Sequence, residues 1–478
     1  MRVYLLLLPI LFVSCCTYRY DAADPLALTS KNPQTKAKIK KKPIRKNVQE
    51  IAKQKTRLPQ KKSTLNLADV IDLGLQNNPN TTISWAEARA AASVYGQSLA
   101  DFYPEIDIFG NYQRVKENLQ EANLHINYYQ TTITPEMQVN YLIFDFGERR
   151  YNSQSALYAL NFANYSFNQQ LQSVLQGLIN DYFDYLYQKE ALEADQADLL
   201  TAKATLDAAE EKKRTGVASL SDIVQAKTQY LQIKMSLIAQ RVDTEASYAQ
   251  LATQMGIPAN FPFKTANLPL EIETDVPIQN LRTLIDTAKK CRQDFLAVKA
   301  NRQSKAFAVD SAIAKNRPII TANFDLGKDF YGSMGSKEDY HWTLQFTLGY
   351  PLFKGFYYDN LIKQSKANLK EAEAQVKQSE LNVIEEVSVA HFDVKMAKQT
   401  YETAKDYLET ATLRFKIALA NYKAGANTIL DVLSAQSSLA DARAEMASAK
   451  KTWFLSLANL AYATGTLTKN TLSMKEEI

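Results

Sequence analysis

The sequence predicts a mainly α-helical protein with long helical hairpins, whose few strands contribute to a transmembrane β-barrel. Three observations carry this. Over 478 residues Gly and Pro number only 14 each, and so few breakers favour long helices. Four stretches alternate apolar and polar residues, the period of strands with one wet face. The chain also resembles itself at an offset of 209 residues, with Phe144 falling on Phe353, Gly216 on Gly425, Asp222 on Asp431 and Gly256 on Gly465. Similarity at one fixed offset over half a chain marks an internal two-fold repeat.

Residues 1–16 have the form of an export signal. Arg2 is the charged start, and Val3 to Val13 is an apolar run too short to span a bilayer. Phe12-Val13-Ser14-Cys15 then resembles a bacterial lipobox, with Cys15 as the lipidated residue; Cys16 offers a second register, and an ordinary cleaved signal peptide is the alternative. Residues 17–64 form a polar, Lys-rich linker expected to be disordered. Within it, residues 31–62 carry 11 Lys, 2 Arg and one acid, so the net charge of +5 belongs to this segment and the remainder is acidic. The basic stretch is either a tether between anchor and folded region or an electrostatic contact to anionic headgroups or other envelope polymers. It holds no aromatic residue for base stacking, which argues against nucleic acid.

The first repeat spans 65–260. A helix is expected from Leu67 to Ala100, broken at Asn77-Asn78-Pro79 and closed by Pro104. Residues 105–113 and 133–141 alternate, with Ile106, Ile108 and Tyr112, then Ile133, Met137, Val139 and Tyr141, on the apolar side. A polar loop over about 116–132 is expected between them. From Gly147 to Arg214 the pattern is helical, about 67 residues or roughly 100 Å at 1.5 Å per residue. Gly216 breaks it, and a second helix runs from Leu220 to Met255.

After a connection over 261–276, the second repeat spans 277–467. It offers a helix over 278–315, alternating stretches from Ile320 to Leu326 and His341 to Tyr350, a helix to Lys423, a break at Gly425 and a helix to Thr464; residues 468–478 form a tail. The helices after the two Gly breaks carry a further signal. Val224, Thr228, Leu231, Met235, Ile238 and Val242 step by 4 and 3, a spacing that keeps one seam towards a neighbouring helix. Glu245 and Lys451 interrupt the seams.

No run of 18 apolar residues follows residue 20, so membrane insertion requires a closed barrel. Four strands per chain cannot close one, since known outer-membrane barrels need at least about eight. The strands must therefore be shared between chains.

The doubled order of elements, the strand-to-helix turns Tyr-Leu-Ile-Phe-Asp-Phe-Gly and Tyr-Pro-Leu-Phe-Lys-Gly, and the paired Gly-x3-[Leu/Ile]-x-Asp-[Ile/Val] breaks together resemble the TolC-like outer membrane efflux proteins, over Leu65 to Leu467. The lipobox resembles the lipoprotein branch. The resemblance implies a homotrimer with a 12-stranded barrel and a periplasmic α-barrel. It further implies a passive exit duct for efflux or type I secretion, coupled to a periplasmic adaptor and an inner-membrane pump. Gly216 and Gly425 would be tip turns. Asp431 matches the first acidic position of the family's pore constriction, whereas the second is Ser434. Tyr422 and Asp222 match its latch, and Asn427 replaces a reinforcing Arg. Asp222 and Asp431 are equally readable as helix caps.

Enzymatic signals are sparse. His125, His341 and His391 are far apart, and no HExxH, CxxC pair, phosphate loop or nucleophile elbow is present. No catalytic residue, metal or cofactor is expected, and Cys291 reads as a buried helical thiol. The competing class is a structural coiled-coil envelope or adhesion protein, which has no need of four amphipathic strands.

Overall fold

The computed structural model describes residues 64–121, 124–216, 219–267, 272, 274, 279–332 and 338–467. The export signal with Cys15, the linker up to residue 63 and the tail 468–478 lie outside the described residues. The chain divides into two compact units. One holds Ala86–Asn164 and Ala297–Lys377; among the described residues the other holds 64–85, Tyr165–Leu296 and 378–467. In chain order the elements are β1 (Thr64–Leu65), α1 (Leu67–Asn77), α2 (Pro79–Ser98), a 3-10 turn, β2 (Glu105–Glu121), β3 (Leu124–Phe144), α3 (Glu148–Arg214), α4 (Leu220–Gln254), β4 (Lys264–Thr265), α5 (Leu281–Cys291), α6 (Gln293–Ala314), β5 (Ile319–Tyr331), β6 (Glu338–Gly349), α7 (Tyr357–Ala424) and α8 (Ile429–Ala463).

The first unit is built on a four-stranded antiparallel sheet in the order β2-β3-β5-β6. Its register aligns Asp107, Gln138, Asp325 and Thr343 across the four strands. Side chains alternate between faces with period 2. One face thus gathers Ile108, Met137, Leu326 and Trp342, and the other gathers the polar positions. The strands are longer than their apolar alternation predicts. Residues 116–121 and 124–132, expected as a loop, continue the β2–β3 ladder, with Lys116 paired to Tyr129 and Val115 to Gln130. Backbone bonding propagates along a hairpin regardless of side-chain polarity, so hydropathy marks only the apolar part of each strand.

Each β-to-α corner is a strained turn. Phe146 has φ 51° and Gly147 φ 92°; Gly355 and Phe356 have φ 57° and 60°. At the first corner the Asp145 carboxylate accepts from the Gly147 and Arg149 amides at 3.1 and 2.7 Å. The Arg149 guanidinium donates back to the carbonyls of Leu142 and Ile143. A positive φ at Phe costs about 1–3 kcal/mol, which these bonds offset.

The second unit is mainly helical and takes in α3 from Tyr165, α7 from Gln378 and the whole of α4 and α8. α3 and α7 have 67 and 68 residues, α4 and α8 have 35 each. α3 and α4 run antiparallel, joined by Gln250 to Asp181 (2.8 Å), Gln240 to Gln188 (2.8 Å) and Ser236 to Asp195 (3.2 Å). α3 and α8 are tied by Lys450–Glu190 (2.7 Å), Lys451–Asp184 (2.6 Å) and Arg443–Asp198. Lys451, unexplained in its seam, is therefore an interhelical anchor, and it also lies over the Tyr187 ring. The largest core gathers Val70, Ile71, Leu178, Ile179, Leu251 and Met255. Each such side chain contributes about 1.5–3 kcal/mol on burial.

Two further expectations are corrected. The helix over 278–315 is two helices, because Arg292 is extended (ψ 123°) and caps α5. Its buried guanidinium binds Asp294, Glu386 and the Ala463 carbonyl, partners that a continuous helix would not reach. Cys291 ends α5 half-buried, not buried. Among the described residues the seam of α4 is left uncovered: Met235, Ile238 and Val242 are 64, 57 and 62% exposed, so the neighbouring helix its spacing calls for is not one of these.

Candidate functional site at the helix-hairpin turns

Near their turns the four long helices converge on one small core. Ala209 of α3, Ala226 of α4, Ala418 and Tyr422 of α7, and Ile429, Val432 and Ala435 of α8 pack together. The Ala-rich composition lets the backbones come close. Gly216 and Gly425 adopt φ 80° and 88°, the left-handed conformation that ends a helix at little cost only for Gly.

Each hairpin restarts with the same local device. Ser219 caps α4: its hydroxyl accepts from the Asp222 amide at 3.2 Å, and the Asp222 carboxylate accepts from the Ser219 amide at 3.2 Å and hydroxyl at 2.9 Å. Thr428 and Asp431 repeat this at α8, with the Asp431 carboxylate accepting from the Thr428 amide at 3.0 Å and hydroxyl at 2.8 Å. Both are capping boxes. The caps are thus Ser219 and Thr428, and the two aspartates complete the boxes from the third helical position. We expect Ser219→Ala and Thr428→Ala each to cost about 1 kcal/mol, seen as faster hydrogen exchange confined to the first turn of α4 or α8; unchanged exchange there would mean the caps hold nothing.

Asp431 is solvent-exposed, and its hydrogen bonds from Thr428, aided by the Arg414 charge, hold its carboxyl below the usual carboxylate range. A lowered carboxyl stabilises the folded state above its ordinary range, and that contribution is lost as pH falls through the lowered value. This cap therefore outlasts mild acid. Ser434 is exposed and its hydroxyl accepts from the Arg414 guanidinium at 3.2 Å. Arg414 had no place in the sequence reading; its only cue was a basic residue on α7 facing serines 20 and 24 positions on.

Tyr422 is 3% exposed, and its hydroxyl has no hydrogen-bond partner among the described residues. Burial, with the nearby Asp222 charge, raises its phenol above the ordinary range. The structure thus brings Tyr422 and Asp222 into one neighbourhood without a bond between them. The Lys212 ammonium lies 4.2 Å from the Tyr422 ring centroid, a cation–π contact. Asn427 is partly buried in the turn before α8.

Among the described residues no His, Cys, Asp and Glu group has metal-holding geometry, and no helix is long and apolar enough to cross a membrane.

Comparison with known proteins places this geometry in a family. The family model for outer membrane efflux proteins matches residues 70–257 and 284–466. Outer membrane protein TolC of Salmonella enteritidis is 22% identical over 420 residues, covering 85% of this chain and 83% of that protein. Protein CyaE of Bordetella pertussis is 26% identical over 318 residues, 64% of each chain. The crystal structure of the Campylobacter jejuni CmeC outer membrane channel superposes with a TM-score of 0.76 at 18% identity, covering 86% of this chain and 89% of that one.

Proposed function

Because the chain belongs to the outer membrane efflux protein family and lies in the bacterial outer membrane, we propose that it is the exit duct of a tripartite efflux or type I secretion system. Three copies contribute four strands each to a 12-stranded barrel, and their long helices form a periplasmic tunnel. The hairpin turns at Gly216 and Gly425 meet a periplasmic adaptor coupled to an inner-membrane pump. Cargo passes unchanged, and Cys15 carries the lipid anchor with the basic segment as its tether. Asp431 and Ser434 line the constriction, with Tyr422 and Asp222 as its latch and Asn427 in place of the reinforcing Arg.

The observation that carries this reading is the incompleteness of the sheet. Among the described residues β2 and β6 pair on one side only, and an open apolar edge invites another chain. Its apolar face is bare: Ile108 is 83%, Phe346 66% and Leu348 70% exposed, which suits lipid. The opposite face presents Glu105, Asp107, Glu136, Asp325, Asp329 and Asp339, with no Lys or Arg among the described residues, which suits an aqueous lumen. α4 and α7 add exposed apolar stripes, including Val242, Phe392 and Met396.

Purified protein in a planar bilayer, with its mass measured on the same sample, tests this. A trimer giving discrete conductance steps is the expected result. A monomer, or an assembly that never conducts, would overturn the duct and leave the coiled-coil envelope reading.

A further inference from the structure

Arg414 is held across the α7–α8 hairpin by two neutral hydroxyls. Its guanidinium donates to the Ser438 hydroxyl at 3.0 Å and the Ser434 hydroxyl at 3.2 Å. The two serines are one helical turn apart, and the Ser438 hydroxyl donates to the Ser434 carbonyl at 3.1 Å, which fixes the acceptor that the guanidinium grips. Ser434 in turn is three residues beyond Asp431, on the same face of α8. The planar fork of Arg matches two acceptors in a way that Lys does not.

The charge balance is the point. Both bonds go to neutral groups, and among the described residues Arg414 is in none of the ion pairs. Its positive charge is therefore exposed on the face that carries Asp431, near enough to lower that carboxyl. Where a second acid would double the negative charge, this chain has Ser434 and, gripping it, a cation. We propose that Arg414 is a selectivity-determining residue of the duct entrance, its positive charge offsetting that of Asp431. This rests on the reading of Asp431 as pore-lining. Three copies then set three guanidinium groups against three carboxylates. Rings of charge in a narrow pore decide which ions enter, so the entrance selects weakly by charge and admits cationic and anionic cargo alike.

Reversal potentials of the full-length trimer in a KCl gradient test this. Arg414→Gln removes the charge and should raise the potassium-to-chloride permeability ratio several-fold. Asp431→Asn keeps an acceptor oxygen for Thr428 and should lower the ratio several-fold. The double variant should return near wild type, and Arg414→Lys should stay near it although its grip on the serines is lost. The shifts should be larger at low salt, where screening reaches further. A conducting trimer whose ratio is unmoved by Arg414→Gln sinks the proposal, as does an Arg414→Lys shift equal to that of Gln. A wild type that never conducts removes the duct and this role together.

Discussion

Glutamate at Met235 and Ile238 together is expected to leave a folded protein that neither assembles nor conducts. Both side chains lie on the face of α4 that no other helix among the described residues covers, 64 and 57% exposed. Changes at exposed positions cost a single chain within about 0.5 kcal/mol, so helical circular dichroism should persist. In a trimer closed through this stripe, each added carboxylate would be buried against apolar neighbours without a partner, a penalty of several kcal/mol per charge. Three copies bring six such charges, more than an assembly of this kind can absorb. Leu237, one residue away, is the internal control: it is 6% exposed and packs inside the chain, so Leu237→Glu should unfold the helix pair, not merely separate subunits. Native mass measurement and bilayer conductance read the outcome. A trimeric Met235→Glu/Ile238→Glu variant would show that the α4 stripe is not between copies.

Valine at Gly256 or Gly465 should lower thermal stability far more than alanine at Gly216 or Gly425, although all four glycines have positive φ. At Gly256 (φ 70°) a Cβ would fall 2.5 Å from the Asn77 carbonyl oxygen, and at Gly465 (φ 69°) 2.8 Å from the Arg292 amide nitrogen. These are backbone atoms anchoring α1 and α5, and they cannot swing aside. The left-handed conformation alone costs about 1–3 kcal/mol for a residue with a Cβ, and the clash adds to it. At the hairpin turns a Cβ at Gly216 or Gly425 would meet nothing within 4 Å among the described residues, so only that conformational cost remains, confined to a turn. Melting at one protein concentration, because assembly shifts apparent stability, should show a large drop for the first pair and a small one for the second. Equal drops would mean the close approaches at Asn77 and Arg292 are not tight.

The long helices were legible in the sequence almost to the residue. α3 and α7 end at Gly216 and Gly425, and α4 and α8 start at the Ser219–Asp222 and Thr428–Asp431 boxes, because capping is settled within four or five residues of chain. The alternation of β2, β3, β5 and β6 was equally local, so the presence of four strands could be read directly. Their lengths could not: residues 116–121 and 124–132 are strand because the opposite strand bonds to them, and that partner supplies what hydropathy does not record. The same holds at Arg292, where no Gly or Pro announces the break between α5 and α6. The guanidinium is drawn to Glu386 and the Ala463 carbonyl, 94 and 171 positions away. Lys451 looked like a flaw in an apolar seam until Asp184, 267 positions before it, came within 2.6 Å.

At the hairpin turns the division is the same. The sequence by itself determined Gly216, Gly425, Asp222 and Asp431 and their roles as helix ends, since those depend on backbone groups a few residues off. Only the tertiary structure decided that Tyr422 is buried beneath the Lys212 ammonium, that the α4 seam is left bare, and that Arg414 faces Ser434 and Ser438 across two helices. Local bonds are written in neighbouring residues, whereas the charge beside Asp431 depends on which helix packs against α8 and in what register.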